Sequence, residues 1–119
     1  MWYHPGDVVR VRVNGVILHE GIMTEHGRVI SNSRRRGGVF EESTRDFAGG
    51  QKIQHIGRLS GLPAEQVIAN ARSRIGRRYD AYHYNCQHFV RECYGVGASS
   101  PQKKLLIGGG IVAALAALL

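Results

Sequence analysis

The sequence predicts an α+β domain in which an antiparallel sheet meander comes first and packed helices follow. Three observations carry this expectation. Val9, Val11 and Val13 alternate with Arg10, Arg12 and Asn14, the period of a half-buried strand. Asn14-Gly15 comes at once after them, a strong hairpin signal because both residues tolerate the positive φ of a tight turn. Beyond Pro63 the apolar period becomes helical, with Val67, Ile68, Ala71 and Ile75 on one stripe.

The remaining elements follow from local chemistry. Val16 to Met23 forms the second strand and carries His19, and Thr24-Glu25-His26-Gly27 makes the next turn. Arg28 to Asn32 is the third strand, and Arg34 to Gly38 is expected as a mobile basic loop. Ser43 to Ala48 reads as a single helical turn stopped by Gly49-Gly50, and Lys52 to Ile56 as a further strand. Pro63 suits the first position of a helix because its missing N–H has no partner to lose there; Gly76 ends that helix. The last helix opens at Cys86 and runs to about Tyr94, with Gly95 as its stop. No segment repeats another.

At 119 residues the chain is long enough for one core and too short for two. The formal charge is +7, with a run at Arg34-Arg35-Arg36 and more at Arg72, Arg74, Arg77 and Arg78. Such charge attracts nucleic acid, acidic protein or anionic lipid, or simply solvates a face. No nucleic-acid motif accompanies it, so no nucleic-acid partner is expected. Cys86 and Cys93 sit two helical turns apart, roughly 10 Å, which is beyond disulfide reach. Reduced thiols fit a cytosolic face. No zinc-type spacing of Cys or His occurs, and neither metal nor cofactor is expected.

The two ends differ. Met1-Trp2-Tyr3-His4-Pro5-Gly6-Asp7 has no basic region and no apolar run, so it does not read as a secretion signal. Leu105 to Leu119 is apolar throughout and contains Gly108-Gly109-Gly110. As a helix it would reach about 22 Å, short of a hydrocarbon core of roughly 30 Å. The expected organisation is a domain over 1–97, a linker over 98–104 and a membrane-association tail over 105–119. In that arrangement the tail enters one leaflet with Lys103 and Lys104 at the headgroups. It places the protein on the cytoplasmic face of a membrane, peripheral or tail-anchored. A tail folded on the domain, or used as an oligomer contact, is the alternative.

The chemistry centres on Cys86. Asn85 immediately before it can accept N–H groups of the first helical turn. A thiol at the positive end of a helix is favoured as thiolate, and a histidine base completes a thiol nucleophile. Of six histidines, His4 is terminal, His26 sits at a turn tip, and His83 and His88 flank the cysteine. His88 points about 200° around the helix from Cys86, which argues against it as the base. His55 lies on a later strand and stays open. His19 stands in the middle of the apolar run Val16-Ile17-Leu18-His19-Glu20-Gly21-Ile22, where a polar ring needs a partner or a purpose.

In order along the chain stand Pro5-Gly6-Asp7, His19-Glu20-Gly21-Ile22, Gly27-Arg28-Val29-Ile30, Phe47-Ala48-Gly49-Gly50 and Asn85-Cys86-Gln87-His88-Phe89-Val90. With these motifs the chain resembles the lecithin retinol acyltransferase family, especially its small bacterial members and the H-box phospholipid acyltransferases. The resemblance runs from about Pro5 to Gly95, and the Asn-Cys-x-His-Phe block is its specific part. It implies a circularly permuted papain-like fold, Cys86 as nucleophile and His19 as general base. It further implies attack on a lipid ester to give a thioester, which passes its acyl group to water, an amine or an alcohol. Helix-start N–H groups near Cys86 and Gln87 would serve the oxyanion.

One departure stands out. The family orients its base with a second histidine on the next strand, and Ser31 occupies that position. A hairpin centred on Glu25 sets Ser31 opposite His19; a one-residue slip brings Asn32 there instead. Both stay open as a third member of the site. Two other readings compete with the acyl-transfer one. One is a papain-like cysteine peptidase or isopeptidase, since desumoylating enzymes of that kind carry a similar Asn-Cys-x-His-Phe block; the other is a non-catalytic membrane- or protein-binding member of the fold, which would account for the missing histidine.

Overall fold

The computed structural model describes residues 3–13 and 17–97. The Asn14-Gly15 turn, the linker and the apolar tail lie outside the described residues. The chain forms a five-stranded antiparallel sheet with three helices, an α+β arrangement. Its strands are β1 (Val8–Val13), β2 (Ile17–Met23), β3 (Arg28–Ser33), β4 (Gly38–Ser43) and β5 (Gln54–Gly57). The helices are α1 (Thr44–Ala48), α2 (Ala64–Ser73) and α3 (Cys86–Cys93). Strand order is β4-β3-β2-β1-β5, so β2 lies at the centre of the sheet.

Side chains alternate across a strand, and here both faces are covered. Val8, Ile22, Ile30 and Val39 pack with α2 and α3 through Val67, Ile68, Ala71, Phe89 and Val90. Val9, Val11, Met23 and Val29 pack on the other face with Phe47 of α1. Val8 and Val9 are consecutive, and each is completely buried. The first strand is therefore not half-buried at its start, as its alternation with arginines suggested.

Other expectations are corrected by the tertiary environment. The β2–β3 ladder pairs Gly21↔Ser31, Ile22↔Ile30 and Met23↔Val29, which centres the hairpin on His26 rather than Glu25. Ser31 consequently faces Gly21, not His19. The second helix ends at Ser73 with Arg74 as its C-cap, before Gly76. Ile75 thus falls off the buried stripe and is 47% exposed. Arg34 to Gly37 is a turn, but Gly38 already belongs to β4. That strand, Gly-Val-Phe-Glu-Glu-Ser, lacks a clean alternation and is held largely by its ladder to β3.

β4 also anchors the segment that leads to Cys86. Val39 N–H donates to Arg77 O at 2.9 Å, Gly76 N–H to Val39 O at 2.9 Å, and Tyr79 N–H to Gly37 O at 3.0 Å. A Cβ on Gly38 would come within 2.4 Å of Arg77 O, so only glycine admits this approach of two backbones.

Candidate functional site

The start of α3 is built by a capping box. Asn85 Oδ1 accepts Gln87 N–H at 3.0 Å and His88 N–H at 3.1 Å, while Asn85 N–H donates to His88 Nδ1 at 3.1 Å. Histidine here takes the reciprocal part that Glu or Gln usually plays. His88 is therefore committed to the architecture of the helix start. Gln87 N–H is committed as well, which removes it from the expected pair of oxyanion donors.

Three contacts fix where this helix start sits. Asn32 Nδ2 donates to Tyr84 O at 2.8 Å and lies 3.4 Å from Asn85 O, pinning the cap to β3. Asp80 and Tyr84 close a tight turn with reciprocal backbone bonds of 2.9 and 2.8 Å. Tyr84 OH donates to Glu92 at 2.9 Å, and the Arg77 guanidinium stacks 3.8 Å from the Tyr84 ring centroid. Asn32 thus faces α3 and holds the cysteine loop. It does not lie opposite His19.

Cys86 is buried, 1% exposed, and its Sγ lies 3.7 Å from Leu18 O. This carbonyl belongs to the stretch of β2 that runs past the last β2–β3 pair, Gly21↔Ser31. The thiol therefore meets the backbone of the histidine strand one residue before His19. Tyr79 lies within electrostatic reach of the same thiol: burial first, then Cys86, raises the phenol pKa. Its hydroxyl is buried without a hydrogen-bond partner among the described residues.

His19 takes the other face of β2. It shares that side with Gly21 and Met23, pairs with Val11 across β1, and sets its ring 5.2 Å from that of Phe47. A Cβ on Gly21 would come within 3.1 Å of Phe47 Cε1 and 2.5 Å of Val29 Cγ1. The absence of a side chain there lets α1 close on the histidine's face. The ring lines a pocket of about 210 Å³ together with Val11, Arg12, Ser33, Arg35 and Gln51. Burial, and secondarily the Arg35 charge, lower the His19 pKa to about 4. The imidazole is thus neutral near pH 7.

The third candidate position resolves differently from either alternative. Ser31 is fully buried, and among the described residues its hydroxyl has no hydrogen-bond partner. Ser33, two residues further along the same face, is the β3 residue that shares the pocket with His19. Its hydroxyl lies 3.4 Å from Arg36 N. Ser33 was missed because the ladder is offset from the expected hairpin centre. Among the remaining histidines, His55 makes a 2.7 Å contact with buried Asp7, His26 pairs with Glu25 at 3.3 Å, and His83 with Asp80 at 3.4 Å. Among the described residues no group of three His, Cys, Asp or Glu side chains is disposed to hold a metal ion.

A thiol at a capped helix start, set against a strand that carries a half-buried histidine, is the arrangement these motifs imply. The family model for lecithin retinol acyltransferase matches residues 5–98. The chain belongs to the lecithin retinol acyltransferase family. No curated protein matches it. Membership puts it in a superfamily of acyltransferase- and phospholipase-type thiol enzymes, and associates it with lipid metabolism.

Proposed function

We propose that this member of the lecithin retinol acyltransferase family is a membrane-associated thiol acyltransferase or phospholipase A-type hydrolase. It acts on lipid esters through a thioester on Cys86, with His19 as general base. The observation that carries this reading is the Cys86 thiol, delivered by the capped start of α3 to the backbone of β2 beside His19. At that point β3 no longer pairs with β2. A carbonyl entering at this open edge can meet sulfur from the α3 side and imidazole from the α1 side.

In the acylation step the Cys86 thiol gives its proton to neutral His19, and sulfur bonds to the ester carbonyl carbon. The oxyanion forms near the positive end of α3. The tetrahedral adduct collapses by breaking the carbon–oxygen bond, and the leaving alcohol takes the proton from imidazolium. Water or another nucleophile then resolves the thioester, using His19 as base again. Burial and Arg35 both oppose imidazolium. Acylation is accordingly expected to be slow for a thiol enzyme. Because Cys86 is buried, acylation also requires local opening around the helix start.

Incubation of the full chain with phospholipid vesicles, followed by intact-mass spectrometry, tests the proposal. A fatty-acyl mass on the wild type, absent from Cys86→Ala, supports it. Cleavage of a peptide or isopeptide substrate with no acyl adduct and no released fatty acid would replace it with the peptidase reading. If Cys86→Ala alters no measurable activity, the protein is a binding member of the family.

A further inference from the structure

We propose that the β4 edge of the sheet, where the Arg34–Arg36 turn meets Arg78, is a docking surface for an anionic phospholipid bilayer. The surface rests on the reading of the protein as membrane-associated, and it is independent of the chemistry of Cys86.

Two segments far apart in sequence build it. β4 is an edge strand, and the stretch from Gly76 to Tyr79 closes along its open side. Tyr79 N–H donates to Gly37 O at 3.0 Å, and Gly38 and Arg78 form an antiparallel bridge. Gly37 N–H returns to Arg34 O at 3.1 Å, so the basic turn ends at this seam. Cross-strand partners share a face, and the register fixes which one: Arg78 opposes Gly38, and Gly38 opposes Ser33. Ser33 and Arg35 line the His19 pocket, and Arg36 lies 4.9 Å over the ring of Phe40, the partner of Ser31. Arg35, Arg36 and Arg78 are thus delivered to the histidine side of the β4 edge. Arg77 takes the opposite side, over Tyr84 and against Glu92.

This charge is offset only in part. Arg34, Arg35, Arg36 and Arg78 are all exposed. The carboxylate within the field of Arg35 and Arg36 is Glu42, which is buried. Burial raises its pKa, and the two arginines act against that rise. Asp80, the exposed carboxylate beyond Arg78, caps its own turn by accepting Tyr82 N–H at 3.0 Å and His83 N–H at 2.9 Å.

An apolar component selects a bilayer over other polyanions. Among the described residues the exposed large hydrophobic side chains are Ile56, Ile75 and Tyr82. Ile56 belongs to β5 at the far edge of the sheet, whereas Ile75 and Tyr82 bracket Arg77-Arg78 in the chain. Aliphatic and tyrosine side chains beside cations match a bilayer interface, where anionic headgroups meet the first methylenes. A nucleic acid offers phosphates to the arginines but gives Ile75 no apolar phase to enter. Stable anchoring takes two signals, one apolar and one polybasic; this surface supplies the second and residues 105–119 the first. The Tyr82 turn runs directly into the Asn85 cap, and Arg35 reaches the His19 pocket. A bilayer seated here therefore borders both groups of the proposed site.

The test is cosedimentation of the full chain with vesicles of phosphatidylcholine alone and of equimolar phosphatidylcholine and phosphatidylglycerol. Wild type is expected to bind the anionic vesicles more tightly, and to lose that preference at about 1 M salt, where the screening length is about 3 Å. Arg36→Gln combined with Arg78→Gln removes one charge from each segment and weakens anionic-vesicle binding about thirtyfold, the product of two arginines near a charged surface. Lys52→Gln combined with Arg58→Gln removes the same charge from exposed positions flanking β5, at the opposite edge, and costs about threefold or less. Equal losses in the two double variants mean adsorption by net charge and overturn the proposal. Tyr82→Ser changes no charge and is expected to weaken the same binding about fivefold, through the apolar area removed. Binding undiminished by Tyr82→Ser overturns the bilayer assignment, as does arginine-dependent binding of a duplex DNA oligonucleotide that is tighter than that of the vesicles. Wild type bound equally to both vesicle compositions refutes the docking surface and leaves membrane association standing through the tail. Wild type bound to neither refutes membrane association itself.

Discussion

His19 shows how one residue couples function to stability. Its folded pKa of about 4 lies below the ordinary 6.5 because burial, then Arg35, disfavours the charged ring. Below pH 6.5 the unfolded chain takes up a proton that the folded chain does not. Folding stability is therefore expected to fall between pH 6.5 and about 4, by up to about 1.4 kcal/mol per pH unit. Above that window the contribution is constant. Urea midpoints of wild type and His19→Gln across it measure the effect; equal slopes in the two proteins would rule it out. Ser31 offers a second residue-scale test. Its buried hydroxyl has no partner among the described residues, so Ser31→Ala is expected to cost little or no stability and to leave kcat within about twofold, a factor set by an energy below about 0.5 kcal/mol. A loss of tenfold or more would show that Ser31 orients the base.

At the scale of elements, two strands and a helix start position the thiol together. Asn32 ties β3 to the Tyr84 and Asn85 carbonyls, so Asn32→Ala cuts the link between β3 and the cysteine loop, while Asp80 N–H and Phe89 N–H still reach those two carbonyls. A destabilisation of about 0.5–1.5 kcal/mol is expected for the lost hydrogen bond, and kcat should fall more than KM rises, because the thiol rather than the lipid contact is displaced. Thermal unfolding and steady-state kinetics on the same variant separate the two effects, and an unchanged kcat would deny Asn32 a positioning role. Gly38→Ala tests the other anchor. Its Cβ would meet Arg77 O at 2.4 Å, so the segment leading to Cys86 must shift, at a cost of about 1–3 kcal/mol. Hydrogen exchange at Val39 and Tyr79, whose N–H groups bond across this seam, should accelerate. Unchanged protection there would show that the seam yields without opening.

The whole molecule places its two chemistries on opposite faces of one central strand. The α3 side brings sulfur, and the α1 side holds the imidazole. Among the described residues no helix is long and apolar enough to cross a membrane. The proposed membrane association, and any oligomer formed through it, is assigned to residues 105–119 on their apolar sequence. Deletion of Leu105 to Leu119 is expected to release the protein from phospholipid vesicles in a flotation assay. Full retention by the truncated chain would assign membrane binding to the folded domain and its basic face.

Much of this was legible in the residues themselves. The Asn85-Cys86 cap, the histidine strand, the meander before the helices and the family they imply are all local patterns, set by capping chemistry and by the two side-chain periods of strand and helix. What only the tertiary structure decided depends on register and on backbone contacts between distant segments. The offset of the β2–β3 ladder put Gly21 rather than His19 opposite Ser31 and brought Ser33 to the imidazole's pocket, and the packing of α3 against β3 set Asn32 on the cysteine loop. β4 lacks an apolar alternation, so its ladder and its seam with Arg77 emerge only once β3 and the Gly76–Tyr79 segment lie beside it.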